Sequence, residues 1–269
     1  MPFIGNVATK TKPFASFWVT CAGEYELEWT RITPFAGTTC LVDWGDGTSN
    51  VLTEADNGYY AKTYAGAGTY RVKIYNPENV EYFECWEWGT DVFLNSTELC
   101  FMENIKGFWV GWTAGGGSFY SKHVRHWRPE RFYLYHVPAG YTGTFDSADV
   151  VDWRPEWFYL GGMPAGYITT ITPNGFSGWT GNTTRVWMRN NNLTTLQVDQ
   201  ILADLWVAFP GKTSERGTTQ IDLRDNSVPT GTYQAANPPT TGLEYRYELL
   251  NDSQSINYVN RWRYVYVDT

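Results

Sequence analysis

The sequence predicts a mainly β protein: a small N-terminal β-sandwich, then a β-solenoid with one inserted helix and a C-terminal capping hairpin. Three observations carry that expectation. Residues from about Phe14 to Tyr75 alternate apolar and polar positions in short runs (FWVTC, YELEW, CLVDW, YRVKI) separated by Gly-rich turns, the patterning of antiparallel strands. Beyond Asn79 the chain repeats itself, as in Trp127 and Trp153, 26 residues apart (153 − 127). Residues Leu196–Trp206 break the pattern with helical apolar spacing and hold neither Gly nor Pro.

Within the first region stand Val42-Asp43-Trp44-Gly45-Asp46-Gly47-Thr48 and, after a loop, Thr63-Tyr64-Ala65-Gly66-Ala67-Gly68-Thr69-Tyr70-Arg71-Val72. Asp43 and Asp46 are placed to accept from neighbouring backbone N–H groups, and Gly45 and Gly47 permit positive φ. With Trp44 as a buried anchor, these five residues read as a structural turn rather than a calcium or catalytic site. The two segments resemble the PKD (polycystic-kidney-disease-type) immunoglobulin-like family, whose signature is a WGDGT turn followed by an HTYxxxGTYxV strand pair. Lys62 stands where that family often has His. The resemblance implies an immunoglobulin-like sandwich over residues 14–79, preceded by an N-terminal arm, 1–13.

In the repeat region Trp127-Arg128-Pro129-Glu130 recurs as Trp153-Arg154-Pro155-Glu156, Phe132-Tyr133-Leu134 as Phe158-Tyr159-Leu160, and Pro138-Ala139-Gly140-Tyr141 as Pro164-Ala165-Gly166-Tyr167. A period of this size means stacked supersecondary units. A further step of 26 from Leu160 reaches Val186, inside Arg185-Val186-Trp187-Met188-Arg189-Asn190-Asn191-Asn192-Leu193, and Gln220–Val228 repeats that form. Both segments resemble the LxLxxNxL core of leucine-rich repeats, a short strand followed by an Asn that bonds the turning backbone. The wider spacing of 35 between Val186 and Ile221 (221 − 186) accommodates the helix. Val80–Trp88 and Phe108–Val110 read as degenerate rungs, which extends the leucine-rich-like solenoid over residues 80–242. Leu243–Leu249 and Arg261–Val267 alternate strictly around Asn251-Asp252-Ser253, so residues 243–269 are expected to form a β-hairpin covering the last open strand.

Composition narrows the function. The net charge of −8 and the lack of a basic run argue against nucleic-acid binding. Nowhere do eighteen apolar residues follow one another, and the start has no signal-peptide pattern, so no membrane insertion is expected. Cys21, Cys40, Cys85 and Cys100 lack zinc spacing; buried thiols and a Cys21–Cys40 disulfide both fit. His123, His126 and His136 lie close in sequence, but Arg125 and Trp127 flank them where a zinc protease needs a Glu on a helix. Gly175-Phe176-Ser177-Gly178 is followed by Trp179, which breaks the nucleophile-elbow pattern.

Glu130 and Glu156 are the best catalytic pair. Stacked at the strand spacing of about 4.8 Å, their carboxyls would approach the ~5–5.5 Å separation of a retaining glycosidase. Arg128 and Arg154 repeat beside them, however, and favour a charge-neutralising ladder. No catalytic residue, metal or cofactor is expected.

The outward face carries more information. Aromatic residues make up 17% of the chain, with 14 Trp and 19 Tyr, types that serve where a surface must grip a partner. Strand periodicity puts Phe132 and Leu134 inward and Tyr133 and Tyr135 outward. Stacking by the repeat aligns Tyr133, Tyr159 and Arg185 in one column and Tyr135, Trp187 and Asp222 in the next, which reads as a partner or glycan surface.

A PKD-like unit joined to degenerate leucine-rich-like repeats resembles virion surface proteins of bacteriophages. That resemblance implies a non-enzymatic structural and recognition protein at the virion surface: a capsid decoration, head fibre or tail attachment protein. Its partners would be other virion proteins and host surface glycan, within an oligomeric assembly. A glycan-processing tail enzyme and a bacterial cell-surface adhesin are the alternatives.

Overall fold

The computed structural model describes residues 13–27, 30–56, 62–86, 91–111, 115–165, 167–179, 183–208, 220–236, 238–251 and 264–268. The chain is mainly β. Its elements, in order, are β1 (Phe14–Cys21), β2 (Tyr25–Leu27), β3 (Thr30–Pro34), β4 (Thr39–Asp43), β5 (Ser49–Thr53), β6 (Lys62–Tyr64), β7 (Gly68–Tyr75), β8 (Val80–Cys85) and β9 (Asp91–Asn95). There follow α1 (Ser96–Leu99), β10 (Gly107–Gly111), β11 (Gly117–Tyr120), β12 (Arg131–Tyr135), β13 (Tyr141–Asp146), β14 (Trp157–Gly161), β15 (Tyr167–Thr170) and β16 (Arg185–Trp187). The last are α2 (Thr195–Val207), β17 (Gln220–Asp222), α3 (Gly242–Asn251) and β18 (Tyr264–Tyr266).

Two eight-stranded sheets dominate, in the orders β15-β13-β11-β9-β1-β7-β4-β5 and β18-β17-β16-β14-β12-β10-β8-β3, with a small β2-β6 pair beside them. Each large sheet is antiparallel at its N-terminal end and parallel beyond. The change occurs at β9 in the first sheet and at β8 in the second. Both sheets therefore run across the expected boundary between residues 79 and 80, since β1 pairs with β9 and β3 with β8.

The repeat is built from aromatic columns. Phe83, Phe108, Phe132 and Phe158 are partners in successive parallel strands, all fully buried, and stacked at centroid spacings of 5.8, 5.6 and 5.4 Å. Val186, Ile221 and Val265 continue the column. A second set of residues recurs with the repeat, Met102, Trp127, Trp153, Trp179 and Leu205, buried throughout, with steps of 25, 26, 26 and 26 residues; the three Trp rings pack on Phe108, Phe132 and Phe158. Leu205 belongs to α2, so in that repeat the recurring buried residue is carried by a helix. A Thr194–Gln197 capping box starts α2, and Val198, Ile201, Leu202 and Leu205 seat it on the core.

The C-terminal hairpin expected over residues 243–269 is not formed. Leu243–Leu249 lies in α3, and β18 adds to β17 in parallel as one more strand of the stack. The alternation of Leu243–Leu249 misled because its Leu, Glu and Arg are strong helix formers and none of its residues is β-branched. Glu244 also accepts from the Thr240 and Thr241 N–H groups, at 2.9 and 3.1 Å, which favours a helix start. Residues 252–263 lie outside the described residues. The inserted helix of the sequence reading, α2, is thus one of three among the described residues, and Trp206 of α2 packs on Tyr245 of α3 at 5.8 Å.

Candidate functional site

The outward face of the second sheet gathers the aromatic residues singled out in sequence, in a different register. Tyr133 pairs with Tyr159, Tyr159 with Trp187, Trp187 with Asp222 and Asp222 with Tyr266; Trp109 precedes Tyr133. Arg185 belongs to the adjacent column, opposite Trp157, and Tyr135 pairs with Gly161 rather than Trp187. The correction has a simple cause. The step from Tyr159 to Trp187 is 28 residues (187 − 159), two more than the repeat, and a slip of two preserves the face while changing the partner.

The column is a ring stack. Trp109 and Tyr133 lie 5.4 Å apart, Tyr133 and Tyr159 4.2 Å apart and nearly parallel, and Trp187 meets Tyr159 edge-on at 4.4 Å. Trp109 and Tyr159 are buried by this packing, while Tyr133, Tyr135 and Trp187 are half-buried. Burial, aided by the neighbouring Tyr159, raises the Tyr133 hydroxyl above its usual pKa. Trp187 Nε1 has no hydrogen-bond acceptor among the described residues.

Beside this stack, Trp157 is held between two guanidinium groups, Arg131 at 4.2 Å and Arg185 at 4.5 Å from its ring. Arg131 also reaches Glu156 at 3.5 Å. Arg185 donates to the Tyr159 hydroxyl at 3.4 Å and has no carboxylate partner within 4 Å among the described residues. Past Trp187, Asp222 is buried, 3% exposed, and held by Arg224 at 2.6 Å and Arg189 at 3.7 Å. It stands in the column between Trp187 and Tyr266 as a structural ion pair and is not an exposed contact residue.

Glu130 and Glu156 are neighbours in the stack, joined by Glu156 N–H donating to the Glu130 carbonyl at 2.6 Å. Their charge partners differ from the Arg128/Arg154 ladder: Glu130 faces Lys106 at 3.9 Å, Glu156 faces Arg131, and Arg128 pairs with Asp152 at 3.3 Å. Glu130 lines an open cleft of about 530 Å³ with Phe35, Lys106, His126 and Arg128; Glu156 does not. The histidines are separated: His123 bonds Ser96 Oγ, His126 the Cys100 carbonyl, and His136 packs on Tyr135. Among the described residues no three His, Cys, Asp or Glu side chains form a ligand set. No disulfide joins the cysteines; Cys21 and Cys40 are both buried.

In the Asp43–Gly47 turn, Asp43 accepts from Gly45 N–H at 2.9 Å and Asp46 from Thr48 N–H at 3.0 Å. Trp44 is fully buried and donates to Asn50 at 2.8 Å. The second segment closes on the first: Tyr64 donates to the Trp44 carbonyl, and Lys62 pairs with Asp46 at 2.6 Å. Gly45 and Gly47 have φ of 79° and 88°.

Sequence reading missed the strands β9, β11, β13 and β15 and the serines beside them. Ser96, Ser121 and Ser147, spaced 25 and 26 residues apart, are fully buried. Each accepts from the backbone of the next coil: Tyr120, Asp146 and Thr172 N–H, at 2.9, 2.9 and 2.8 Å. Their spacing was the available signal. In comparisons with known proteins, no family model, no curated protein and no solved structure matches the chain.

Proposed function

We propose that this chain is a non-enzymatic recognition and assembly protein that docks a protein partner on the outward aromatic face of its second sheet. The observation that carries the reading is the Trp109–Tyr133–Tyr159–Trp187 column with Arg185 beside it. Trp, Tyr and Arg are the residue types that anchor interfaces, and a hydrogen-bonded sheet presents them without the cost of ordering a loop. The ring stack also favours protein over glycan. Sugars stack on open ring faces, whereas here each ring covers its neighbour.

In this reading residues 14–79 are a PKD-like immunoglobulin-type unit, the parallel coils a leucine-rich-like solenoid, and the setting the surface of a bacteriophage particle, capsid or tail. Cryo-electron microscopy of the assembled particle that carries the chain tests it. Density on a capsid lattice or tail, with the aromatic face against a neighbour, supports the proposal. Absence from every particle, or a face open to solvent in all copies, overturns it.

A further inference from the structure

The two large sheets have four edges, and three are interrupted by a proline or by a side-chain bond within the strand. β3 carries Pro34 and a register break beside it. On β15, the Thr169 carbonyl accepts from Gln197 of α2 at 2.7 Å, and on β18 the Val265 carbonyl accepts from Arg246 of α3 at 3.2 Å. On β5 such a contact is confined to the last residue, Thr53, whose N–H and hydroxyl are bonded by Asp56. The strand reads Ser-Asn-Val-Leu-Thr, with no charge and no proline, and pairs only with β4 among the described residues.

Trp44 N–H donates to the Thr48 carbonyl, which sets the alternation of the β4–β5 ladder. Asn50 and Leu52 turn their backbone groups to β4, opposite Val42 and Cys40; Ser49, Val51 and Thr53 turn theirs outward. The Thr53 N–H is already taken by Asp56 at 2.6 Å. Among the described residues nothing bonds the outward backbone groups of Ser49 and Val51, and Val51 is 63% exposed.

We infer that β5 is the docking edge for a second copy of this chain, paired antiparallel about a two-fold axis at Val51. This goes beyond the aromatic face and uses a different surface. The strand is self-complementary in that register. Val51 exchanges both backbone bonds with Val51 of the partner subunit, and Ser49 N–H reaches the carbonyl of Thr53 of the partner subunit. No charged side chain of β5 opposes another. An apolar row already crosses the sheet, Phe14 opposite Tyr75, Tyr75 opposite Leu41 and Leu41 opposite Val51. The two-fold axis continues that row into its own copy. Uncovered edges of this kind invite strand pairing, and an isologous pair closes after two copies.

Sedimentation velocity from micromolar to hundreds of micromolar protein tests the inference. The unmodified chain should double its mass with concentration, and Val51→Lys should stay monomeric with an unchanged melting temperature. Val51→Cys should form an intermolecular disulfide at least tenfold faster than Val207→Cys, an exposed control on α2. Paired residues of such a ladder have Cα atoms ~5.5 Å apart, within disulfide reach. A chain that never doubles its mass, a Val51→Lys variant that doubles like the parent, or equal cross-linking of the two cysteine variants overturns it. Loss of the doubling in Tyr133→Ala but not in Val51→Lys also overturns it, while leaving the aromatic-face reading standing.

Discussion

The Tyr133 and Tyr159 rings stack with centroids 4.2 Å apart and planes 21° apart. Strand pairing places the two residues opposite each other, and parallel strands repeat every ~4.8 Å, so the backbone sets a ring spacing close to van der Waals contact. Stacking of this kind is worth about 0.5–1.5 kcal/mol beyond area burial. A double-mutant cycle of Tyr133→Leu and Tyr159→Leu, read by urea denaturation, should return a coupling in that range. Tyr159→Leu should cost more alone, because Tyr159 is 5% exposed and Tyr133 half-buried. A coupling near zero would mean that the sheet alone positions the rings.

Low pH acts on the turn between β4 and β5. Burial would raise the Asp46 carboxyl, but hydrogen bonds from Lys62 and Thr48 outweigh it and hold the group down at about 2. In the unfolded chain the same carboxyl takes up its proton near pH ~4. Between those values the unfolded state binds more protons, so stability falls as pH falls. Thermal melts should show the parent losing more stability than Asp46→Asn across that interval, with the two curves parallel above it.

Gly45 and Gly47 separate two costs that a β-turn glycine can carry. Both have positive φ, so alanine at either meets a left-handed backbone penalty of about 1–2 kcal/mol. A Cβ at Gly47 meets nothing within 4 Å, while one at Gly45 sits 2.7 Å from the Arg71 carbonyl oxygen. Chemical denaturation should find Gly47→Ala near that penalty and Gly45→Ala well beyond it, because β7 has to shift. Equal losses would place the whole cost in the turn's own dihedrals.

The parts of this fold that sequence revealed are those where one residue type recurs in one register. Phe132 and Phe158, or Trp127 and Trp153, announce their stacking through a fixed offset, and the backbone honours it. The site was only half legible for the same reason. Two extra residues before β16 moved Trp187 behind Tyr159 and Arg185 behind Trp157, and no residue between them marks the slip. The strands of the first sheet's parallel half were hidden because Gly117 and Gly143 interrupt their alternation. In α3 alternation and helical spacing coexist, and the packing of Trp206 on Tyr245 decides between them.

The buried serines make the sharpest test of the coil-to-coil connection. Ser121 Oγ accepts from the Asp146 N–H at 2.9 Å and donates to Asp149 at 2.6 Å, inside a core with no exposure to water at that residue. Alanine there removes the acceptor and leaves the Asp146 N–H unsatisfied, a loss of about 1–3 kcal/mol. Ser147→Ala should cost a similar amount through the Thr172 N–H. Ser118→Ala is the comparison: its hydroxyl is half-buried and bonds the Asn95 side chain, and its removal should stay within about 0.5 kcal/mol. Hydrogen exchange separates a broken local bond from a general loss of stability. In Ser121→Ala the Asp146 amide should accelerate more than the amides of β12 and β14. Uniform acceleration would mean that the serine column holds the core as a whole rather than one coil to the next.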